Sequence, residues 1–285
     1  MSGIVSTDIP SDRTGVESRR SRGALALQAF FAILQRDVKV TLREFVPFLL
    51  QALMQPLFFL FIFGKVLPGI GLAAGDFAPL MLPGIVALTG MLAAMQGVTL
   101  PLVLDLGFAR EIDDRLLSPL PVWWVALEKV IFGAIRGIIA SSVIFPLGWL
   151  ILGNGFAVRA DRVPVLIGMI LLTGCVGSTI GLWMGTVIKP DQISLMFTLI
   201  FTPLLFTGCT YYPWGALHNI RWFQILTLFN PLTYAAEGLR YSMVPPIGGH
   251  NFPTLGIGWT LLLLGISVVA MFIAGTGTFL RRVIT

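Results

Sequence analysis

Six charged residues, Asp105, Arg110, Glu111, Asp113, Asp114 and Arg115, stand together between two long apolar runs. The chain around them is 56 % hydrophobic and only 12 % charged. Phe108, Ile112, Leu116 and Leu120 recur every fourth residue through the cluster, so a helix there carries one apolar stripe beside its charges. Ser118-Pro119 stops that helix, because a residue before proline disfavours the helical region. Two readings follow. The segment is a solvated loop kept out of the bilayer by its charges, or it is a short amphipathic helix that offers charges and an apolar stripe to a partner.

Other residues capable of chemistry are scattered. His218 and His250 are the only histidines and have no carboxylates at ligand spacing, so no metal site is expected. Cys175 and Cys209 both lie in apolar runs, which argues against a disulfide framework. A P-loop needs Gly-x-x-x-x-Gly-Lys-Ser/Thr to cradle phosphates, and the single Gly-Lys pair, Gly64-Lys65, is followed by Val66. No nucleophile with a base, and no carboxylate pair, stands within an apolar run, so an intramembrane lipid-processing enzyme is the weakest functional class. An ion-coupled secondary transporter usually carries intramembrane acids or histidines and broken helices in repeated halves, and neither pattern is clear. Arg136 does fall inside an apolar run, where its guanidinium either snorkels to the near surface or serves a gate. Glu237 and Arg240, three apart, can pair on one helix, as a structural ion pair or as an outer gate.

The elements holding these residues belong in lipid. Mean hydropathy is +0.88, and a helix needs roughly 20 apolar residues to cross about 30 Å of hydrocarbon. The runs are continuous rather than alternating, which selects helices over a barrel. Six spans are expected, at about residues 46–66, 79–104, 125–152, 163–188, 193–209 and 252–280. Residues 1–23 are polar, read as a disordered cytosolic N-terminus and contain no signal peptide. Residues 24–45 read as an interfacial helix with Leu27, Phe31, Leu34, Val38, Leu42 and Phe45 on one face. The segment from Thr210 to Asn251 is aromatic and interrupted by proline, and predicts two short helices dipping into the outer interface, roughly Trp214–Leu228 and Leu232–Met243.

Thirteen Lys and Arg then fall on the side of the N-terminus and five on the other, which places both termini and the charged cluster in the cytosol. Gly177, Gly181 and Gly185 predict a close helix contact, within the chain or between two copies.

Glu111-Ile-Asp-Asp-Arg-Leu-Leu-Ser-Pro-Leu-Pro121 resembles the E-x-x-x-x-x-L-x-x-x-P region of ABC-2-type exporter permeases, including the daunorubicin-resistance-type subunits. Asn230-Pro231, Tyr234 and Arg240 resemble the N-P-x-x-Y…R stretch before the last span of that family. The order of elements over about residues 25–282 is similar too. The resemblance implies an all-α, six-helix membrane domain over 24–285 with an N-terminal interfacial helix, a cytosolic coupling helix between spans 2 and 3, and re-entrant helices before span 6. It implies contacts from Glu111, Asp113, Asp114, Arg115, Leu116, Leu117 and Ser118 to an ATP-binding subunit. Two such subunits would bind ATP and Mg, since this chain holds no nucleotide site, and a second permease copy or homologous permease would complete the assembly in the cytoplasmic membrane. A translocation path between permeases, lined by spans 2 and 5, gives Met91, Met95 and Thr99, and Phe197, Phe201, Thr202 and Phe206, as candidate contacts. With no charge in either span, the substrate class expected is apolar or amphipathic: a lipid, glycolipid or drug.

Overall fold

A computed structural model describes residues 14–71, 77–109, 122–153, 158–245 and 254–284, and every regular element among them is helical. Helix α1 spans Thr14–Arg43. It starts well before residue 24, within the stretch expected to lack structure. After a one-residue turn at Glu44, α2 runs Phe45–Phe61 and continues through a π turn, Ile62–Val66, to Gly69. Gly71, at φ +76°, lets the chain leave the helix in a left-handed step. Then come α3 (Phe77–Leu104, closing in a π turn, Asp105–Ala109), α4 (Val122–Leu152) and α5 (Val163–Val187). The last group is α6 (Ile193–Thr207), α7 (Arg221–Thr227), α8 (Pro231–Met243) and α9 (Ile257–Ile284).

Five segments are long and apolar enough to cross a membrane: Phe45–Gly69, Pro79–Gly107, Trp123–Leu152, Ala160–Val187 and Ile257–Arg282. They match five of the expected spans. The expected fifth, α6, is 15 residues long, about 22 Å of helix. Burial sorts the five. In α3, 78 % of the apolar window is buried, against 11 % in α9, so α3 is the central post and α9 faces outward.

Small residues set the spacing of the core, because lipid tails supply no hydrophobic drive and close backbone packing must substitute for it. A Cβ on Gly177 would stand 2.4 Å from the Met91 carbonyl oxygen, and one on Gly181 would stand 2.6 Å from that of Met95. The glycine stripe of α5 is thus filled by α3 of the same chain. Beside this seam, a Cβ on Gly137 of α4 would meet the Gly90 carbonyl oxygen of α3 at 2.5 Å. Hydroxyls bridge the same seams: Thr99 donates to the Gly181 carbonyl at 3.1 Å and Ser141 to that of Val86 at 3.2 Å. Arg282, near the end of α9, donates to the carbonyls of Thr186 and Ile188 at the end of α5.

Two close approaches locate α6. The Pro190 ring sits against Gly107, and the Thr210 backbone against Gly84. The two points are separated by the length of α3 from residue 107 to residue 84, about 34 Å along a helix axis. Past Thr210 the chain folds into a hairpin. A 3-10 turn, Trp214–Asn219, leads into α7, and α8 returns. Asn230 caps α8 by accepting from the Leu232 amide at 2.9 Å. Its side-chain amide donates to the Leu204 carbonyl and the Thr207 hydroxyl, both at 2.9 Å, which holds the hairpin tip against α6.

Candidate functional site

The expected site residues separate into four groups. Glu111, Asp113, Asp114, Arg115, Leu116, Leu117 and Ser118 lie outside the described residues. Of the cluster, Asp105 is described. It opens the π turn that closes α3.

Met91, Met95 and Thr99 are fully buried at the seam with the α5 glycines. They hold α3 against α5 and face no open surface in this structure. On α6, Thr202 is exposed and Phe206 is 55 % exposed. Phe201 is half-buried against the core, and the side chain of Phe197 lies outside the described set.

Glu237 and Arg240 form a fully buried pair, with the Arg240 Nη1 2.5 Å from the Glu237 Oε1. Arg240 also donates to the Leu80 carbonyl at 2.9 Å, to the Cys209 carbonyl, and to the Thr210 carbonyl at 3.1 Å. The Trp214 amide donates to the same Glu237 oxygen at 2.9 Å. One guanidinium therefore gathers the start of α3, the end of α6, the 3-10 turn and α8. Cys209 has φ +49°, unusual for a residue with a side chain, and the bond to its carbonyl helps hold that conformation.

A groove opens between α1, α2, α3 and α4, at the ends where α3 and α4 approach the charged cluster. Its wider part has a volume of about 540 Å³ and is bordered by Asp37, Glu44, Phe48, Asp105, Lys129 and Arg136. It continues toward the middle of α3 past Gln51, Ala93, Gln96 and Leu100, and narrows beside Gln55, Leu88 and Leu92. The groove-facing stripe of α3 is thus Leu88, Leu92, Gln96 and Leu100. Helix α1 roofs the wide end. Phe30 packs edge-on against Trp124 at 5.6 Å, and Asp37 receives the Lys129 ammonium at 2.6 Å. The expected apolar stripe of residues 24–45 divides: Leu27, Phe31 and Leu42 are exposed, while Leu34 packs beside Phe30 and Phe45 beside Phe48.

The sequence reading missed Asp37, Gln51 and Gln96. The available signal was an acid among the basic residues of α1 for Asp37, and amides in otherwise apolar spans for the other two.

The sequence profile described as "ABC-2 type transporter" matches residues 28–244, and this chain belongs to that family. It is a multi-pass membrane protein, the transport subunit of an ABC system. Among curated proteins it is similar to the inner membrane transport permease YadH of Escherichia coli strain K12, 25 % identical over 255 residues that cover 87 % of this chain and 92 % of that protein. The protein of the same name from Shigella flexneri matches with the same figures.

Proposed function

We propose that this chain is the membrane-spanning half of an ATP-driven exporter in the inner membrane, with both termini in the cytosol. Its motor is two separate ATP-binding subunits carrying ATP and Mg, and a second permease, identical or homologous, completes the path. The substrate is an apolar or amphipathic molecule. Membership of the ABC-2 family and similarity to an inner membrane permease support the assignment.

The observation that carries it is the connection of the charged cluster. Residues 105–121 join α3, the most buried of the five membrane-length helices, to α4, and Asp105 itself borders the groove between them. A partner that pushes on Glu111, Asp113, Asp114 and Arg115 therefore acts on both inner walls of the groove at once. Leu116, Leu117 and Ser118 supply the apolar and capping contacts of the same docking helix.

Six crossings follow if α6 counts as the fifth, and the contacts that flank it, Pro190 at Gly107 and Thr210 at Gly84, support that count. The α7–α8 hairpin is then re-entrant from the outer face, and the Glu237–Arg240 pair is a latch that an outward opening must loosen. Thr202 and Phe206, exposed on α6, suit a path completed by the second permease. On α3 the path face is the stripe with Gln96, and Met91, Met95 and Thr99 set its position from behind.

The test is charge reversal in the complex with its ATP-binding subunit. Glu111→Lys with Asp114→Lys should leave insertion and ATP binding intact but abolish extrusion of a fluorescent amphipath from membrane vesicles. Normal extrusion by the double variant would refute the coupling role.

A further inference from the structure

Arg136 is anomalous in the groove. Lys129 has Asp37 at 2.6 Å and Glu128 at 3.8 Å. Arg36 has Asp37 at 3.3 Å. Among the described residues, no hydrogen bond or ion pair reaches Arg136, and its Nε is buried without an acceptor. Glu44 and Asp105 border the same space, yet neither bonds to it. Two aromatic rings hold the guanidinium instead: its carbon is 4.4 Å from the centre of Phe48 and 5.9 Å from that of Phe132. The stem packs on Gly97, where an added Cβ would meet the Arg136 Cδ at 2.9 Å.

Ring contacts satisfy the faces of a guanidinium and leave its edge of N–H donors unused. That edge suits a two-oxygen acceptor, a phosphate or a carboxylate, held by two parallel hydrogen bonds. Arg136 borders both the wide part of the groove and its continuation. Beyond it the continuation is bordered by the apolar Ala52, Ala93, Leu100 and Leu104, with the amides of Gln51 and Gln96 on its walls. A charged pocket leading into a mostly apolar slot is shaped for a molecule with an oxyanion head and a hydrocarbon chain.

We infer that the groove is a binding site for an anionic amphipath, with the headgroup on Arg136 and the chain running between α2 and α3 toward Ala93. The inference concerns occupancy of this site and stands whether or not the occupant is also the exported cargo. A free small anion lacks the chain, whose burial along the slot adds to the contact made by the headgroup.

Binding to the purified, delipidated full chain tests this with three probes: spin-labelled phosphatidylglycerol, spin-labelled palmitate and glycerol phosphate. Phosphatidylglycerol or palmitate should be retained by the wild-type chain, the two probes separating a phosphate head from a carboxylate head. Arg136→Gln should weaken retention roughly tenfold or more, as loss of charge-assisted hydrogen bonds does. Arg136→Lys should fall between, keeping the charge without the fork. Leu100→Gln, which leaves the cation in place and makes the slot polar, should weaken lipid retention a few-fold, and an unchanged thermal unfolding midpoint in the Arg136 variants guards against a folding defect. Equal retention by wild type and Arg136→Gln overturns the inference, and so does glycerol phosphate binding as tightly as the lipid.

Discussion

The Lys129 ammonium lies 2.6 Å from the Asp37 carboxylate, with side-chain exposures of 5 % and 11 %. This one contact ties α1 to the inner end of α4, next to the segment that joins α4 to the charged cluster. Any movement of the cluster that displaces α4 is therefore passed to α1.

Removing one partner of a buried pair leaves an unpaired charge and typically costs about 3–5 kcal/mol. Glu128, 3.8 Å from the same ammonium, offsets part of that loss. Asp37→Ala should therefore destabilise by about 2–3 kcal/mol and release α1 first. Limited proteolysis should then cut at Arg36, Lys39 or Arg43 well before the core melts. Unchanged cleavage would mean that Phe30 on Trp124 suffices to hold the helix.

Arg240 should be the least replaceable side chain at the other end. Arg240→Met leaves Glu237 charged, buried and without its cation, at about 3–5 kcal/mol, and frees the carbonyls of Leu80, Cys209 and Thr210. Arg240→Met with Glu237→Gln should recover a measurable part of the lost thermal stability, because the Gln oxygen can still accept from Trp214. Two independent, additive losses would show that the pair is not coupled.

The glycine contacts predict a graded series. Gly181→Ala should be strongly destabilising, since its methyl would stand 2.6 Å from the Met95 carbonyl oxygen and backbone cannot yield. Gly265→Ala meets nothing within 4 Å and should be neutral or gain up to about 0.5–1 kcal/mol from helix propensity. Thermal unfolding in detergent separates the two. Equal effects would contradict the α3–α5 seam.

What could be read from the sequence follows from which patterns carry phase. Span existence rests on length and apolar content, which is why five expected spans reappear with boundaries shifted by a few residues. The stripe Gly177, Gly181 and Gly185 announced a close contact, but the partner could be either chain, and only the fold chooses α3. Helix α3 is apolar all round, so no moment told which side faces the groove. The resemblance put Met91, Met95 and Thr99 on the path, and in this structure their side chains are buried at the seam with α5. The α1 pattern was legible as amphipathic, but its apolar stripe divides: Leu27, Phe31 and Leu42 are exposed, while Leu34 joins Phe30 and Asp37 in the dock. The latch was half legible. The spacing of Glu237 and Arg240 gave the pair, while the carbonyls of Leu80, Cys209 and Thr210 are brought to it by chain segments distant in sequence.

The central claim is that residues 111–118 receive force from a separate ATP-binding subunit. Site-specific crosslinking from Asp114→Cys in the assembled transporter tests it most directly, with Asp161→Cys, on the opposite side of the membrane in this topology, as the reference position. The account predicts a crosslink from position 114 to the ATP-binding subunit that changes in yield when ATP is trapped, and none from position 161. A crosslink from 161 instead, or none from 114 in an active complex, would contradict it.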